Sequence, residues 1–447
     1  MNIETLDRLK AVARGKIFLP RDEVYEKASQ FFKRTLAPNV VLRPESAEDM
    51  AAMIHVLSKD RPPIVIKSGG HSNIVYDIPD DAVLVDLSAL SSIKVIDADK
   101  GIVQVGTGTL AGEVADILDT YKLGLASGDS RVVGIGGLAT GGGLGFLVRK
   151  YGALVDNIIS VEVVVADGAI IEASEDRHPE LFWAVRGGGS NFGIVTQVTF
   201  QAHPVKEVHE AVISYPLQNV AAVIKGWRDV MRKAPAELTS ILTVLPARAE
   251  APASIVIHGC FLGADTKTAE TAYAPLAALG KPLKYAVQAM RYKDILESGP
   301  PRSTGKRAIA RNVFLKTLTD DVIATIATLC EDGAPPVLQI RHVAGAMNER
   351  PADSTAFSHR DSEVLIYHGT SVAFDATDED IAAALAAWRA IEPFGTGGYI
   401  NMSSEATEAE LARAFPPEAL RRLRHIKKQY DPHNVFRINY NIRPESS

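Results

Sequence analysis

Cysteine is nearly missing from this chain: among 447 residues there are only Cys260 and Cys330. Two widely separated thiols exclude a disulfide scaffold and any cysteine-based zinc or iron–sulfur site. A dominant charge of one sign is missing too, with 48 Lys plus Arg against 54 Asp plus Glu. The resulting net charge of −6 argues against nucleic acid or an anionic membrane surface as the main partner. Glu4, Asp7, Arg8, Lys10 and Arg14 interrupt the start of the chain, so no apolar signal core is expected there. The uncharged stretch 132–148 is too rich in glycine for a membrane helix. A cytoplasmic protein is the expectation. His178, His203 and His433 lack ligand spacing, so no metal site is expected, and neither a G-x-S-x-G elbow nor a Walker A sequence occurs.

What is present is ordinary in amount, with 46% apolar and 23% charged residues, enough for two or three soluble domains. Glycine is ordinary in number and unusual in placement. Seven of the 34 glycines fall between Gly134 and Gly145.

The first half alternates helix-like and strand-like periods. Ser46 with Asp49 three residues on suggests a capping-box start for a helix over 46–59. Strands are expected at 63–67, 82–87, 102–105 and 157–165, with Asp167-Gly168 turning into 169–173. A helix is expected over 110–121, and Pro179 suits the first position of a short helix to residue 185, stopped by Gly187-Gly188-Gly189. Residues 193–201 alternate as a half-buried strand. After His203-Pro204, helices (217–232, 269–279) alternate with strands (253–261, 337–343), which suggests a second, α+β domain. A helix over 417–429 is stopped by Tyr430-Asp431-Pro432, and residues 435–442 read as a terminal strand.

Two stretches imitate a dinucleotide fingerprint. Gly106-Thr107-Gly108-Thr109-Leu110-Ala111 follows a strand and opens a helix, but it sits mid-domain. Gly134-Ile135-Gly136-Gly137-Leu138-Ala139 is interrupted at once by Gly141-Gly142-Gly143, so no helix is expected after it. The Gly134–Gly145 run reads better as backbone lying flat against a large ligand, whose ring or diphosphate meets bare N–H groups. Ser68-Gly69-Gly70-His71-Ser72, preceded by Lys67, has the makings of a phosphate nest. Taken alone, His71 reads as a hydrogen-bonded loop histidine, and the basic face of the last helix (Arg421, Arg422, Arg424, Lys427, Lys428) as solvated surface.

Together these segments are more specific. Residues 64–72, Val133-Gly134-Ile135-Gly136-Gly137, Gly141-Gly142-Gly143-Leu144-Gly145, Asp156-Asn157, 181–196 and the ending 430–437 resemble berberine bridge enzyme-like FAD-linked oxidases. These belong to the vanillyl-alcohol oxidase, or p-cresol methylhydroxylase-type, flavoproteins. The resemblance spans essentially the whole chain. It implies a two-domain α+β fold: an FAD-binding domain over 1–205 (core about 36–205), an antiparallel-sheet substrate domain over 206–400, and a C-terminal segment, 401–447, returning to the FAD domain.

The resemblance also assigns roles. His71 matches the histidine joined to the flavin 8α-methyl carbon, and the loop from Lys67 to Ser72 would carry the diphosphate. Gly193, Ile194 and Val195 would contact the adenine or the ring edge, and Asn439 and Asn441 would approach the isoalloxazine. Many relatives carry a second, cysteine tether where this chain has Ser130, so FAD would be held by His71 alone. In this, and in Asn439-Tyr440-Asn441, the chain looks most like the 6-hydroxy-D-nicotine oxidase branch. Val133 falls at the position where a small residue accompanies reaction with molecular oxygen. Tyr399, in Gly398-Tyr399-Ile400-Asn401, matches a Tyr-x-Asn motif near the substrate, as base or hydrogen-bonder; Asn401 and His359 are further substrate candidates.

The implied activity is an FAD oxidase acting on a small alcohol or amine and releasing hydrogen peroxide, as a monomer or homodimer. Alternatives are a flavin dehydrogenase with another acceptor, a ligand-sequestering flavoprotein, and an NAD enzyme at Gly106.

Overall fold

A computed structural model describes residues 3–31, 35–74, 78–248, 251–263, 265–298 and 306–445. Ser46 caps the helix Ala47–Asp60 by accepting from the Asp49 N–H at 3.2 Å. The capping box is only half made. The Asp49 carboxylate accepts instead from the N–H groups of Arg14, Gly15 and Glu45, at 2.8, 2.8 and 3.0 Å, and so anchors the N-terminal segment.

That helix covers a four-stranded sheet in the order Lys16–Phe18, Val40–Arg43, Val83–Asp86, Ile64–Lys67, whose last three strands are parallel. A second sheet is wholly antiparallel, in the order Ile93–Asp97, Ile102–Gly106, Ile194–Gln201, Ile158–Val164, Ile170–Ser174. This order rules out a doubly wound dinucleotide fold at Gly106. Gly106 and Gly108 have a packing reason instead, because a Cβ on either would collide with the carbonyls of Leu90 and Leu87.

The second half builds a seven-stranded antiparallel sheet. Its order is Lys284–Met290, Val208–Pro216, Ser254–Leu262, Leu238–Leu245, Leu338–His342, Val364–Ala373, Lys306–Leu315. Directly paired residues share a face. The row Ile257, Leu242, Ile340, Ile366 is buried with Ile224, Trp227, Leu276 and Ile326 from the covering helices. Each such side chain contributes about 1.5–3 kcal/mol by leaving water. The adjacent row, His258, Ile241, Arg341, Leu365, faces the other way, and it carries charge.

The C-terminal helix Pro417–Tyr430 returns to the first half. Lys427 is not part of a solvated face as expected but fully buried, because its ammonium finds three acceptors: the carbonyls of Asn191 and Phe436 and Asp431, at 2.7, 2.9 and 2.6 Å. Asp431 in turn accepts from the N–H groups of Val435 and Phe436. These bonds use up the backbone that a strand over 435–442 would need, and the segment runs as irregular chain; the Ile442 N–H ends on Asn191 Oδ1 at 3.0 Å. Among the described residues no helix is long and apolar enough to cross a membrane, and no group of three or more His, Cys, Asp or Glu could hold a metal.

Candidate active site

The glycine-rich segment, the 67–74 loop, the C-terminal segment and the charged face of the large sheet enclose one cavity of about 740 Å³. From the first half it is lined by Lys67, Ser68, Gly69, Gly70, His71 and Ser72, then by Ser130, Val133, Gly134, Gly137 and Gly141. Tyr399, Asn401 and Asn439 close it from the C-terminal side. Many of the spread-out sequence candidates thus converge on one space.

The glycine run departs from its expected form. Residues Ile135–Gly141 make a short helix behind Gly134, with Ile135, Leu138 and Ala139 buried. The space around the glycines shows that most of them serve packing rather than a ligand. Gly134 and Gly69 touch backbone to backbone, so a Cβ on either would strike the other. Gly136 lies against Thr107, Gly142 against Tyr399 and Phe357, and Gly143 against Leu154, and none of these three lines the cavity. Gly137 differs, with nothing within 4 Å of its Cβ position. Open space beside Gly137 suits a flat ring.

Two loop residues are committed elsewhere. Lys67 lines the cavity, but its ammonium donates to the Ala28 carbonyl at 2.6 Å and lies 3.8 Å from Asp86. The backbone N–H groups of Gly70 and Ser72, rather than this ammonium, are therefore the donors suited to a diphosphate. Ser68 Oγ donates to the Thr107 carbonyl at 2.5 Å and accepts from the Gly136 N–H at 3.2 Å, stitching the loop to the glycine segment.

Tyr399 is held from two sides. Its oxygen accepts from the Gly143 N–H at 2.7 Å and from Asn401 Nδ2 at 3.1 Å; the same amide nitrogen also reaches the Gly137 carbonyl at 3.2 Å. Burial pushes the phenol up to about 12, against the smaller pull of the Gly143 N–H. Tyr399 is therefore neutral at ordinary pH. With two incoming donors on its oxygen, its own proton remains to be given to a ligand. This favours hydrogen-bonder over resting base.

Four groups of candidates lie elsewhere. Asn157 donates to the carbonyls of Tyr151 and Ala153 and meets His203 at 2.5 Å, bracing its own turn. Gly193, Ile194 and Val195 are buried in the strand beside Val163 and Val164, behind the cavity wall. His359 Nε2 faces the carbonyls of Arg413 and Ala414 at 3.1 and 3.0 Å, and its ring stacks on Phe314 at 5.2 Å, so it packs the C-terminal segment and does not line the cavity. Asn441 lines a neighbouring cavity of about 410 Å³, which shares Asn439 with the main one.

Sequence reasoning missed the opposite wall. Gln339, Arg341, Tyr367, Asp129 and Glu297 all line the cavity. Arg341 pairs with Asp129 at 2.5 Å and with Gln339 Oε1 at 2.9 Å. The alternation Leu338-Gln339-Ile340-Arg341 was the available signal, since period two sends every second residue to one face.

The residues present fit a large polar cofactor. Ser130 Oγ and Asn439 Oδ1 are buried without a hydrogen-bond partner among the described residues, and both line the space that Gly137 leaves open. Unpaired buried oxygens of this kind are costly unless a ligand meets them. Comparison with known proteins identifies that ligand. Residues 38–174 match the FAD binding domain family, and residues 398–443 match the berberine and berberine like family. The chain combines an FAD binding domain with a berberine-like C-terminal segment and is an FAD-linked oxidoreductase.

This oxidoreductase is 29% identical to (R)-6-hydroxynicotine oxidase of Paenarthrobacter nicotinovorans, over 97% of this chain and 98% of that one. It superposes on the structure of 6-hydroxy-D-nicotine oxidase from Arthrobacter nicotinovorans with a TM-score of 0.86 and 26% identity, covering 97% and 98%. Glucooligosaccharide oxidase from Acremonium strictum, whose flavin is a 6-S-cysteinyl, 8α-N1-histidyl FAD, has the same fold at TM-score 0.86 and 22% identity, covering 99% and 100%. The structure is thus that of a p-cresol methylhydroxylase-type α+β flavoprotein, and FAD is its cofactor.

Proposed function

We propose that this oxidoreductase is a mono-covalent FAD oxidase that oxidises a C–H bond next to an amine or hydroxyl of a small polar substrate, with molecular oxygen as acceptor and hydrogen peroxide as product. The observation that carries this reading is the convergence of His71, Ser130, Tyr399 and Asn401 on one cavity whose far wall is polar. FAD, when bound, supplies the hydride acceptor and returns the electrons to oxygen.

His71 would hold the flavin through its ring nitrogen. Ser130 stands where a second thioether would need a thiol, and a hydroxyl cannot form one. Backbone N–H groups of Gly70 and Ser72 would meet the diphosphate, and the Asn439 amide the ring system. Tyr399 would orient the substrate heteroatom, its oxygen fixed by Gly143 and Asn401. Val133, small and at the cavity wall, leaves room for oxygen. The FAD-binding part would run over 1–205, the substrate part over 206–400 and the returning segment over 401–447.

The test is chemical. Denatured protein should retain yellow flavin, with a mass increment on the peptide containing His71; His71→Ala should release it, and Ser130→Cys should add a second link. Substrate-reduced enzyme should reoxidise rapidly in air with one peroxide per flavin. Slow reoxidation would instead make it a dehydrogenase.

A further inference from the structure

The polar wall has a feature that the FAD reading does not use. Arg341 is 8% exposed, with Nη1 committed to Asp129 and Nη2 to Gln339, while its Nε–H is buried with no partner among the described residues. A guanidinium cannot lose its proton to escape that cost, so the group awaits an acceptor. The Tyr367 hydroxyl, two strands' pairing away from Thr243 and directly beside Gln339 in register, lines the same wall.

Glu297 is the complementary feature. It is exposed, lines the cavity, and has no ion pair or hydrogen bond to its carboxylate among the described residues. Its backbone is fixed: the Glu297 N–H donates to the Asp129 carbonyl at 2.8 Å, and the Arg131 N–H donates to the Glu297 carbonyl at 2.9 Å. Arg131 also reaches the Lys293 carbonyl at 2.9 Å, tying this segment to the cofactor side of the cavity. Nearby, His258 Nε2 and Glu210 Oε1 meet at 2.7 Å, so that carboxylate already has a partner. On this side the cavity is lined by two carboxylates, Asp129 and Glu297, and two guanidiniums, Arg341 and Arg248; Asp129 is taken by Arg341, while Glu297 and Arg248 are exposed.

We infer that this wall selects an organic cation that also carries a hydrogen-bond acceptor: Glu297 receives the protonated amine, and the Arg341 Nε–H, fixed by Asp129 and Gln339, receives the acceptor. Glu297 is a specificity residue. Its carboxylate, raised above the ordinary range by desolvation and by Asp129, is suited to accept the ammonium proton, leaving the neutral amine whose C–H can be oxidised. The balance is simple: the N–H bond breaks, a carboxyl O–H forms, and no redox change occurs in that step.

The inference rests on the oxidase reading for its amine chemistry, but its test does not need turnover. FAD-loaded enzyme is titrated anaerobically with 3-hydroxypiperidine, a cation with an acceptor, and with the neutral cyclohexane-1,3-diol, following the flavin visible spectrum. Wild type should bind the cation at least about tenfold more tightly, roughly 1.4 kcal/mol. Glu297→Gln should abolish that preference while leaving the diol unchanged. Arg341→Lys should weaken both ligands about tenfold at unchanged flavin content, and is read through thermal unfolding to confirm that it folds. Equal affinity of wild type for the two probes, no spectral change with either, or an unaltered preference in Glu297→Gln overturns the inference. Failure of the oxidase reading would look different: the cation binds with the expected preference, yet the flavin is never reduced.

Discussion

The two walls of the cavity are built on opposite principles. The cofactor wall is backbone: Gly69, Gly70, Gly134 and Gly137 bring main chain to the surface, and its side chains are spent on stitching loops together, as with Ser68. The sheet wall is side chain: Gln339, Arg341 and Tyr367 project from strands whose register comes from distant pairings. A cofactor that is always the same can be met by backbone. A substrate that differs between relatives is met by side chains that can be exchanged without disturbing the strands behind them.

The largest expected break in this comparison separates two glycines only three residues apart. Gly134→Ala puts a methyl into the backbone of Gly69; nothing there can yield, and a loss of about 3 kcal/mol or more is expected. Gly137→Ala meets open space within the helix Ile135–Gly141, where alanine gains about 1 kcal/mol of helix propensity. Thermal unfolding of the flavin-free proteins should fall for the first and hold or rise for the second. Flavin content of Gly137→Ala should nevertheless drop, because its methyl would take up cavity space left for the cofactor. If both variants behave alike, the division of the glycine run into packing and cofactor positions is wrong.

Next in size is the latch beneath the cofactor wall. Lys427→Met leaves Asp431 buried without its cation, a loss of about 3–5 kcal/mol, and frees the segment that carries Asn439. Burial holds the Lys427 ammonium down to about 8 despite Asp431. Denaturant unfolding of the single variant and of Lys427→Met with Asp431→Asn would separate the pair: the double variant should recover part of the loss. No recovery would mean that Asp431 matters only for the Val435 and Phe436 N–H groups.

Between the walls stands Tyr399. Tyr399→Phe removes the hydroxyl that Gly143 and Asn401 fix, and should lower kcat/KM about 10–100-fold with flavin content intact. A neutral donor predicts no pH break between about 6 and 9 that Phe removes. A break that disappears in the variant would restore Tyr399 as the base.

How far the sequence could be read follows the same line. The cofactor wall was legible because its parts are contiguous motifs, 67–72 and 133–145, and the helix starts at Ser46 and Pro179 announced themselves through capping chemistry. The glycine run was read too simply, since backbone touching backbone and backbone touching a ligand demand the same residue. Asn157 and Val195 do not line the cavity, since a motif shows which residues travel together and not which way they face. Arg341, Asp129 and Glu297 stayed hidden, as residues 129, 297 and 341 meet only through sheet register and the 129–131 staple. The terminal strand failed because Asp431 captures the N–H groups on which a ladder would depend.

The smallest expected effect concerns a residue that belongs to neither wall. Burial lowers the His359 pKa below its ordinary value, so the folded protein keeps the ring neutral while the unfolded chain takes a proton as pH falls through about 6.5. More protons on the unfolded state means stability that is present above that pH and lost on acidification. His342 and His203, pushed down to about 3 and about 4 by burial, contribute in the same direction. His359→Gln should cost about 1–2 kcal/mol near pH 7, because its amide cannot reproduce the bond to Arg413 and Ala414 and the stack on Phe314. It should also flatten the stability–pH slope between about 5 and 6.5 while leaving KM unchanged. A raised KM at unchanged stability would return His359 to the substrate side, where its sequence context first placed it.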